Sequence, residues 1–546
     1  MSPLLRLPVD LTFLIISNLL PSDILVLRQT CKDLAKLTRD RTVWMSQYDS
    51  QILSKGYPFP SSIPPESMEA PELERQVHIC DRVSQKWAGL AEGQYAYPRD
   101  GTRFVLGQRV QDLRIRSKAG VEVKIRSVHF LNVPGRDLML VHYKDDWSVL
   151  EVWDLERKGV EGSGAKKVAE WGPRGTIVKN VVVDGNGDGE SGVRIAVGVL
   201  VPPEEHLVQV LTLTPSLSFE ITASVRTFMS PVAFQGNLLG LGDHLSQSPL
   251  WNWKASTFAS LDGELAPNRK NHTTLSPEAE GDEIGTTNPI VDMVFAQDYV
   301  FVARAYTLTL FSIPKEFHAT LDRAMEDSVG FLAKHSFGCV DAVCVTPVAP
   351  RNGAATVNPS YHILVRGFSN DSWKEWNSHT LQLYALDPAS PAPLASSSVP
   401  YLFPPRLEAS VATRYGRLNC SRVFLGKAGV ALWVQPKRSG MRFQEEEYYG
   451  IDHYVDSPHI QLSDHRDAPR LNAAILVDSP YRFDDGSEEM STGFMEETDG
   501  GAAQLDPILV MANHDGDADW TCMDWDEAGG RIVLGLESGW VTLIEM

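Results

Sequence analysis

Residues 522–545 read CMDWDEAGGRIVLGLESGWVTLIE. An apolar run reaching Asp526 gives way to a turn at Glu527–Gly530. A second run, RIVLGLES (531–538), breaks at Gly539, and WVTLIEM (540–546) follows as a third. Short runs of β-branched and aliphatic residues divided by Gly, Asn and Asp are strands joined by tight turns. The same cadence recurs upstream. DLMLVHYK precedes SVLEVWDL (137–144, 148–155), and RIAVGVL precedes VQVLTLT (194–200, 208–214). YVFVARAY precedes TLTLFSIP (299–306, 307–314), and HILVRGF precedes TLQLYALD (362–368, 380–387).

Strand groups repeating at roughly 40 to 60 residues point to a β-propeller. Candidate blades centre on 121–172, 176–225, 228–262, 288–337, 338–398, 399–480 and 507–546. The third and sixth are weakly marked, so a count of about seven leaves six or eight open. The last blade lacks an outermost strand. RVQDLRIRS (109–117) can supply it, pairing an early segment with the final one and removing an exposed sheet edge. The expected fold class is mixed and mainly β, with N- and C-terminal strands closing the ring. VLEVWDL (149–155), ending in Trp153-Asp154, resembles the Trp-Asp ending of WD40 blades.

Residues 7–44 have another character: LPVDLTFLIISNLLPSDILVLRQTCKDLAKLTRDRTVW. Leu11, Leu14, Ile15 and Leu19 recur at helical spacing. Pro21 stops that helix, and Ser22 or Asp23 can cap a second one carrying Ile24, Leu25 and Leu27. A third spans roughly Thr30 to Thr38, with Leu34 and Leu37 apolar. Three short helices cannot bury these side chains alone, and no metal or disulfide staple is visible. A partner polypeptide is the natural cover.

This segment resembles an F-box. The resemblance rests on Leu7-Pro8, the acid Asp10, the apolar run to Leu19-Leu20, Pro21 with Asp23 and Ile24, then Cys31, Leu34 and the closing Trp44. It implies that Leu7, Pro8, Leu11, Ile15, Leu19, Leu20, Ile24, Leu27 and Trp44 lie at or just under a surface that grips the adaptor Skp1, which joins a cullin and a RING subunit. Asp10 stands where Glu is commoner. The function implied is substrate recognition in an SCF-type E3 ubiquitin ligase, with an unknown protein substrate on the propeller. A non-ligase scaffold or regulatory F-box protein is the alternative.

The expected organisation is an F-box at 1–50, a linker at 51–100 and the propeller over 101–546. Within the linker, GYPFPSSIPPESMEAPE (56–72) reads as an extended spacer. Leu73, Val77, Cys80, Val83 and Trp87 then mark one face of a helix of about 15 residues. Polar loops are expected at 263–287 and 436–470, and a disordered acidic one at 484–506.

Composition narrows the function classes. The net charge of -20 disfavours nucleic acid and anionic membranes as general partners. The six cysteines are scattered without a C-x-x-C pair, which fits a reducing compartment, cytoplasmic or nuclear. Neither a signal peptide nor a membrane-spanning run is recognisable. Asp184-Gly-Asn-Gly-Asp-Gly189 matches half of a calcium loop, but Ile195 occupies the position of the closing Glu. His453, His459 and His465 have no metal-ligand spacing. No phosphate loop, nucleophile elbow or H-E-x-x-H helix occurs, so neither catalysis nor a cofactor is expected. Arg414, Arg417 and Arg422 are the candidate substrate contacts, as cations that could converge on one face.

Overall fold

A computed structural model describes residues 7–59, 64–92, 109–116, 123–133, 135–155, 165–185, 192–242, 248–261, 288–338, 340–348, 358–367, 380–389, 399–413, 420–435, 470–476, 479–482, 502–505, 507–512 and 519–546. Arg414, Arg417, the three histidines at 453, 459 and 465, and most of the calcium-like loop lie outside these residues.

The N-terminal part is helical. Helix α1 (Val9–Ser17) and α2 (Pro21–Arg28) are joined by a three-residue turn. The second helix is not capped by Ser22 or Asp23: Leu20 is its N-cap and Pro21 its first residue, where the missing N–H costs nothing and the ring presets φ. Helix α3 (Lys32–Leu37) follows, and then a fourth helix, α4 (Arg41–Gln47), where periodicity predicts only three. Its seven residues are too few to show a period. Its signal is Asp40, whose carboxylate accepts the Thr42 N–H at 2.9 Å. A π-helical turn, Tyr48–Leu53, leads into the spacer. Helix α5 (Ala70–Ala91) has 22 residues, longer than the apolar stripe alone suggests. Leu73, Val77, Cys80, Val83 and Trp87 are all buried along it.

Behind it stand seven sheets, each built on antiparallel strands, the blades of a propeller. Blade 1 is built from Lys124–Val133, Arg136–Lys144, Ser148–Asp154 and Lys166–Trp171. Blades 2, 3 and 4 span 177–226, 230–261 and 290–336. Blade 5 runs from Val340 to Ala412, and blade 6 from Val423 to Ala512. Blade 7 takes Trp520–Asp526, Arg531–Leu536 and Trp540–Glu545, and its fourth strand is Arg109–Arg114. Arg109 faces Glu545 and Arg114 faces Trp540 across that closure. Trp153-Asp154 ends the third strand of blade 1.

Two blade boundaries depart from the sequence expectation. The outer strand of blade 5 is Arg406–Ala412, beyond residue 398. Blade 6 begins at Val423 rather than 399, and its outer strand Ile508–Ala512 falls in a stretch that spacing assigns to the last blade. Long connections between its strands erase the repeat period there. The acidic stretch also needs correction at one end. Ala503–Gln504 forms a short strand, because Leu505 supplies an apolar anchor where the acids end.

Near the axis the strands crowd, and the chain meets this in a repeated way. The innermost strands of blades 1, 2, 3, 4, 5 and 7 each carry a register shift near their start, at Ile125/Ser127, Val178/Asn180, Pro231/Ala233, Ile290/Asp292, Val340/Ala342 and Trp520/Cys522. A bulge increases local twist and bends the strand. Ala233 pairs with Gly240 beside the blade 3 shift, and a Cβ on Gly240 would lie 2.3 Å from Met293 Sδ on the next blade. The missing side chain lets the neighbouring innermost strand approach.

Candidate functional site

Two regions carry the candidate residues. In the helical part, Ile16, Ile24, Val43 and Trp44 form a small core with Leu73 and Val77 of α5. The Trp44 indole N–H donates to Thr38 O at 3.0 Å, and its ring lies 5.0 Å from that of His78. Arg28 ties the layers together. Its guanidinium donates to both carboxylate oxygens of Glu74 at 2.7 and 2.9 Å and to Thr38 O at 2.8 Å, while lying 5.8 Å from the Trp44 ring centre. A bidentate, partly buried pair of this kind fixes geometry more firmly than a solvated one. Arg41 holds the spacer by donating to Pro65 O, Glu66 O and Met68 O. Burial holds the His78 imidazole below its ordinary pKa.

The apolar stripe of α1 faces away from this core. Leu7, Leu11, Ile15 and Leu20 are exposed, as is Pro8, and Leu19 and Leu27 are half-buried. Ile24 and Trp44 are fully buried, so they support the surface from beneath. Leu14 and Val26, 60% and 64% exposed, extend the ridge beyond the motif positions. Val26 has no motif signal. It is recognisable only when the helix is seen to bury Ile24 on its opposite side.

Helix α5 joins the two parts. Its N-terminal half lies in the small core, and Cys80, Val83 and Trp87 enter a larger one with Ala428, Tyr481, Met523, Ile532 and Met546 of blades 6 and 7. Tyr57 stacks on Tyr481 with ring centroids 5.4 Å apart. At Gly530, φ is +62°, and a Cβ would lie 2.2 Å from Val83 Cγ2. That turn therefore needs glycine for its backbone and for the helix above it. Glu527 is half-buried in the same turn and accepts the N–H groups of Lys427 at 2.8 Å and Ala428 at 3.0 Å. Burial pushes its carboxyl up to about 7 against those two bonds.

Ala428, Tyr481, Gly530 and Met546 all lie at the ends where the innermost strands finish. Arg422, just before the innermost strand Val423–Leu425 of blade 6, lies at the opposite end, with its side chain exposed. Arg366 of blade 5 holds that approach: it donates to Ser421 O at 2.8 Å and to Asp341 Oδ1 at 2.7 Å. Asp292, Asp524 and His129 lie on the innermost strands of blades 4, 7 and 1, and the Arg422 charge acts on all three electrostatically. Burial raises Asp292 and Asp524 to about 6, with Arg422 opposing the rise. Burial holds His129 well below its ordinary value, and Arg422 adds to this. Arg126 and Lys179, at the register shifts of blades 1 and 2, are exposed on the same end.

Other expectations resolve into structure. Asp184 is buried, and its Oδ1 accepts the Gly236 N–H at 3.1 Å, joining blade 2 to blade 3. Among the described residues no group of three or more His, Cys, Asp or Glu could hold a metal, and no helix is long and apolar enough to cross a membrane. Cys31, Cys80, Cys344, Cys420 and Cys522 are free thiols.

Residues 4–50 match the F-box-like family model. The chain thus joins an N-terminal F-box-like domain to a seven-bladed β-propeller, the make-up of an F-box/propeller protein. No curated protein matches the sequence. Similar solved structures include the β-propeller domain of Cps50 (Swd1) from Myceliophteria thermophila, at 11% identity and a TM-score of 0.42, covering 82% of this chain and 100% of that one. A chain from an inhibitor-bound humanized mutant of the Chaetomium thermophilum Polycomb Repressive Complex 2 aligns at 12% identity and a TM-score of 0.42, covering 83% and 98%. At such values neither bears on function, and the blades rest on the strand pairing itself.

Proposed function

We propose that this chain is the substrate-recognition subunit of an SCF-type E3 ubiquitin ligase, binding a Skp1-type adaptor through the F-box and a protein substrate through the propeller. The observation that carries this reading is the ridge of Leu7, Leu11, Leu14, Ile15, Leu20 and Val26, left exposed by a domain whose own core is already filled. Apolar side chains on short helices are anchors for a partner's groove, and burying them supplies the affinity. The chain itself performs no chemistry. Cullin and RING subunits reached through the adaptor supply ubiquitin transfer, and this chain contributes proximity.

The substrate face is the end of the propeller that carries Arg422, Arg126 and Lys179. The F-box and α5 occupy the other end, so a protein bound here meets no obstruction from the adaptor. The shared core of α5 supports a fixed separation between the two, which a transfer reaction across a gap requires.

Affinity purification of the full chain against a Leu7→Ala/Pro8→Ala/Ile15→Ala variant tests the reading. The variant is expected to lose the adaptor and retain propeller-bound proteins, and those proteins are expected to accumulate in cells. Adaptor capture without accumulation of any bound protein would favour the non-ligase scaffold. Equal adaptor capture by both forms would remove the F-box assignment.

A further inference from the structure

One sheet is wider than the rest. Blade 5 carries a fifth strand, Ala503–Gln504, laid parallel against its outer strand Arg406–Ala412, with Ala503 beside Ala409 and Gln504 beside Ser410. The Leu505 N–H donates to Ser410 O at 2.9 Å, and the Ser410 hydroxyl donates to Gln504 Oε1 at 2.9 Å. This strand belongs to the connection between two strands of blade 6, so a segment of one blade completes the edge of another.

Two paired residues provide few backbone bonds. Leu505 provides the hold: it is 3% exposed and packs among Leu381, Ala409 and Val411 of blade 5 and Trp433 and Leu476 of blade 6. An outer strand offers a row of N–H and C=O groups to any extended segment, and a side-chain pocket beside it selects which segment is taken. Both parts of such a site are present here, and both are occupied.

We propose that the outer edge of blade 5 is a strand-docking site for an extended peptide of the pattern Ala-Gln-Leu, with Ala503–Leu505 as its resident occupant. The occupant acts as a clasp on the seam between blades 5 and 6. Val423 and Leu425, which line the same cluster as Leu505, form the three-residue innermost strand that follows Arg422. Release of the clasp therefore loosens the support of that strand. The docking itself stands independently of the ligase reading; its consequence for Arg422 rests on it.

Amide hydrogen exchange on the full chain tests the site. In a Leu505→Pro variant, which loses both the donor N–H and the side chain, the Ser410 amide, the one of residues 409–411 that faces the docked strand, should exchange roughly tenfold faster than in the native chain. Adding the synthetic peptide GAAQLDP in excess should restore its protection, and the same peptide with Asp for Leu should not. Should Leu505→Pro fail to fold, Leu505→Ala keeps the N–H and should show a smaller acceleration at the same amide. Unchanged exchange in the folded variants would overturn the proposal, as would equal restoration by both peptides. Adaptor capture by these variants is read in parallel: it should be unaffected, which separates failure of the clasp from failure of the F-box.

Discussion

The indole of Trp87 meets that of Trp525 edge-on, with ring centroids 6.4 Å apart and planes inclined at 71°. The first ring is fully buried on the linker helix and the second ends the innermost strand of blade 7, so the contact bolts the F-box module to the propeller. Offset or edge-on aromatic pairs add to the area they bury. Trp87→Ala removes the ring and leaves a cavity in a core shared by both parts. An expected loss of about 3 to 5 kcal/mol follows. Chemical denaturation should show it, and limited proteolysis should cut the linker faster while leaving the propeller intact.

The ridge and the core beneath it separate by mutation. Leu11→Asp or Leu14→Asp places a charge on an already solvated position, so thermal stability should change by less than about 0.5 kcal/mol. Adaptor affinity should fall at least roughly tenfold, since a charge in an apolar groove is left unpaired. Ile24→Ala, at a fully buried site, should lose stability by about 2 to 5 kcal/mol and weaken adaptor binding only as a consequence. Parallel melting curves and titrations with purified adaptor distinguish the two patterns.

Ring closure depends on the strand Arg109–Arg114. Replacing these residues with an equal length of Gly and Ser keeps the chain continuous but leaves Trp540–Glu545 as an open edge. The expected result is a lower melting temperature and concentration-dependent association, because an unpaired strand is a template for another chain. Light scattering across a dilution series measures this directly.

Glu527 gives the joint a pH dependence of definite sign. Its folded-state pKa, about 7, lies above the ordinary value of 4.5, so folding favours the protonated form. Its contribution is therefore most favourable below about 4.5 and declines as pH rises toward about 7. Buried histidines such as His129 and His142, held below their ordinary values, act in the opposite sense over part of this range. The clean measurement is the stability difference between the native chain and Glu527→Gln. The native chain should lose ground between about pH 5 and pH 7 and level off above that, and a flat difference would contradict the assignment.

Much of this was legible from residue order. Leu7-Pro8, Pro21 and Trp44 marked the helical module because each is a residue type with a narrow structural use. Runs of β-branched and aliphatic residues divided by Gly, Asn and Asp marked the strands, because such side chains fit a pleated strand and such residues fit the turns between strands. The segment 109–117 could be matched to the last blade because that blade was one strand short. The bounds of blades 5 and 6 are not legible in residue order for a physical reason: their strands are divided by long connections, and spacing says nothing about which strand returns to which sheet. The fourth helix carries no periodic signal, because seven residues complete too few turns to show one.

Amino-acid order alone determined that a short helical module with a surplus of apolar surface precedes a ring of β-sheets, since both depend on local pattern and composition. Tertiary structure decided the rest. That Leu14 and Val26 stand free while Ile24 and Trp44 do not, that Gly530 must admit Val83, that Arg422 sits on the end away from the F-box, and that Leu505 clasps a foreign blade all depend on contacts between residues far apart in the chain. Such contacts follow from which surfaces pack together, and local periodicity carries no record of that.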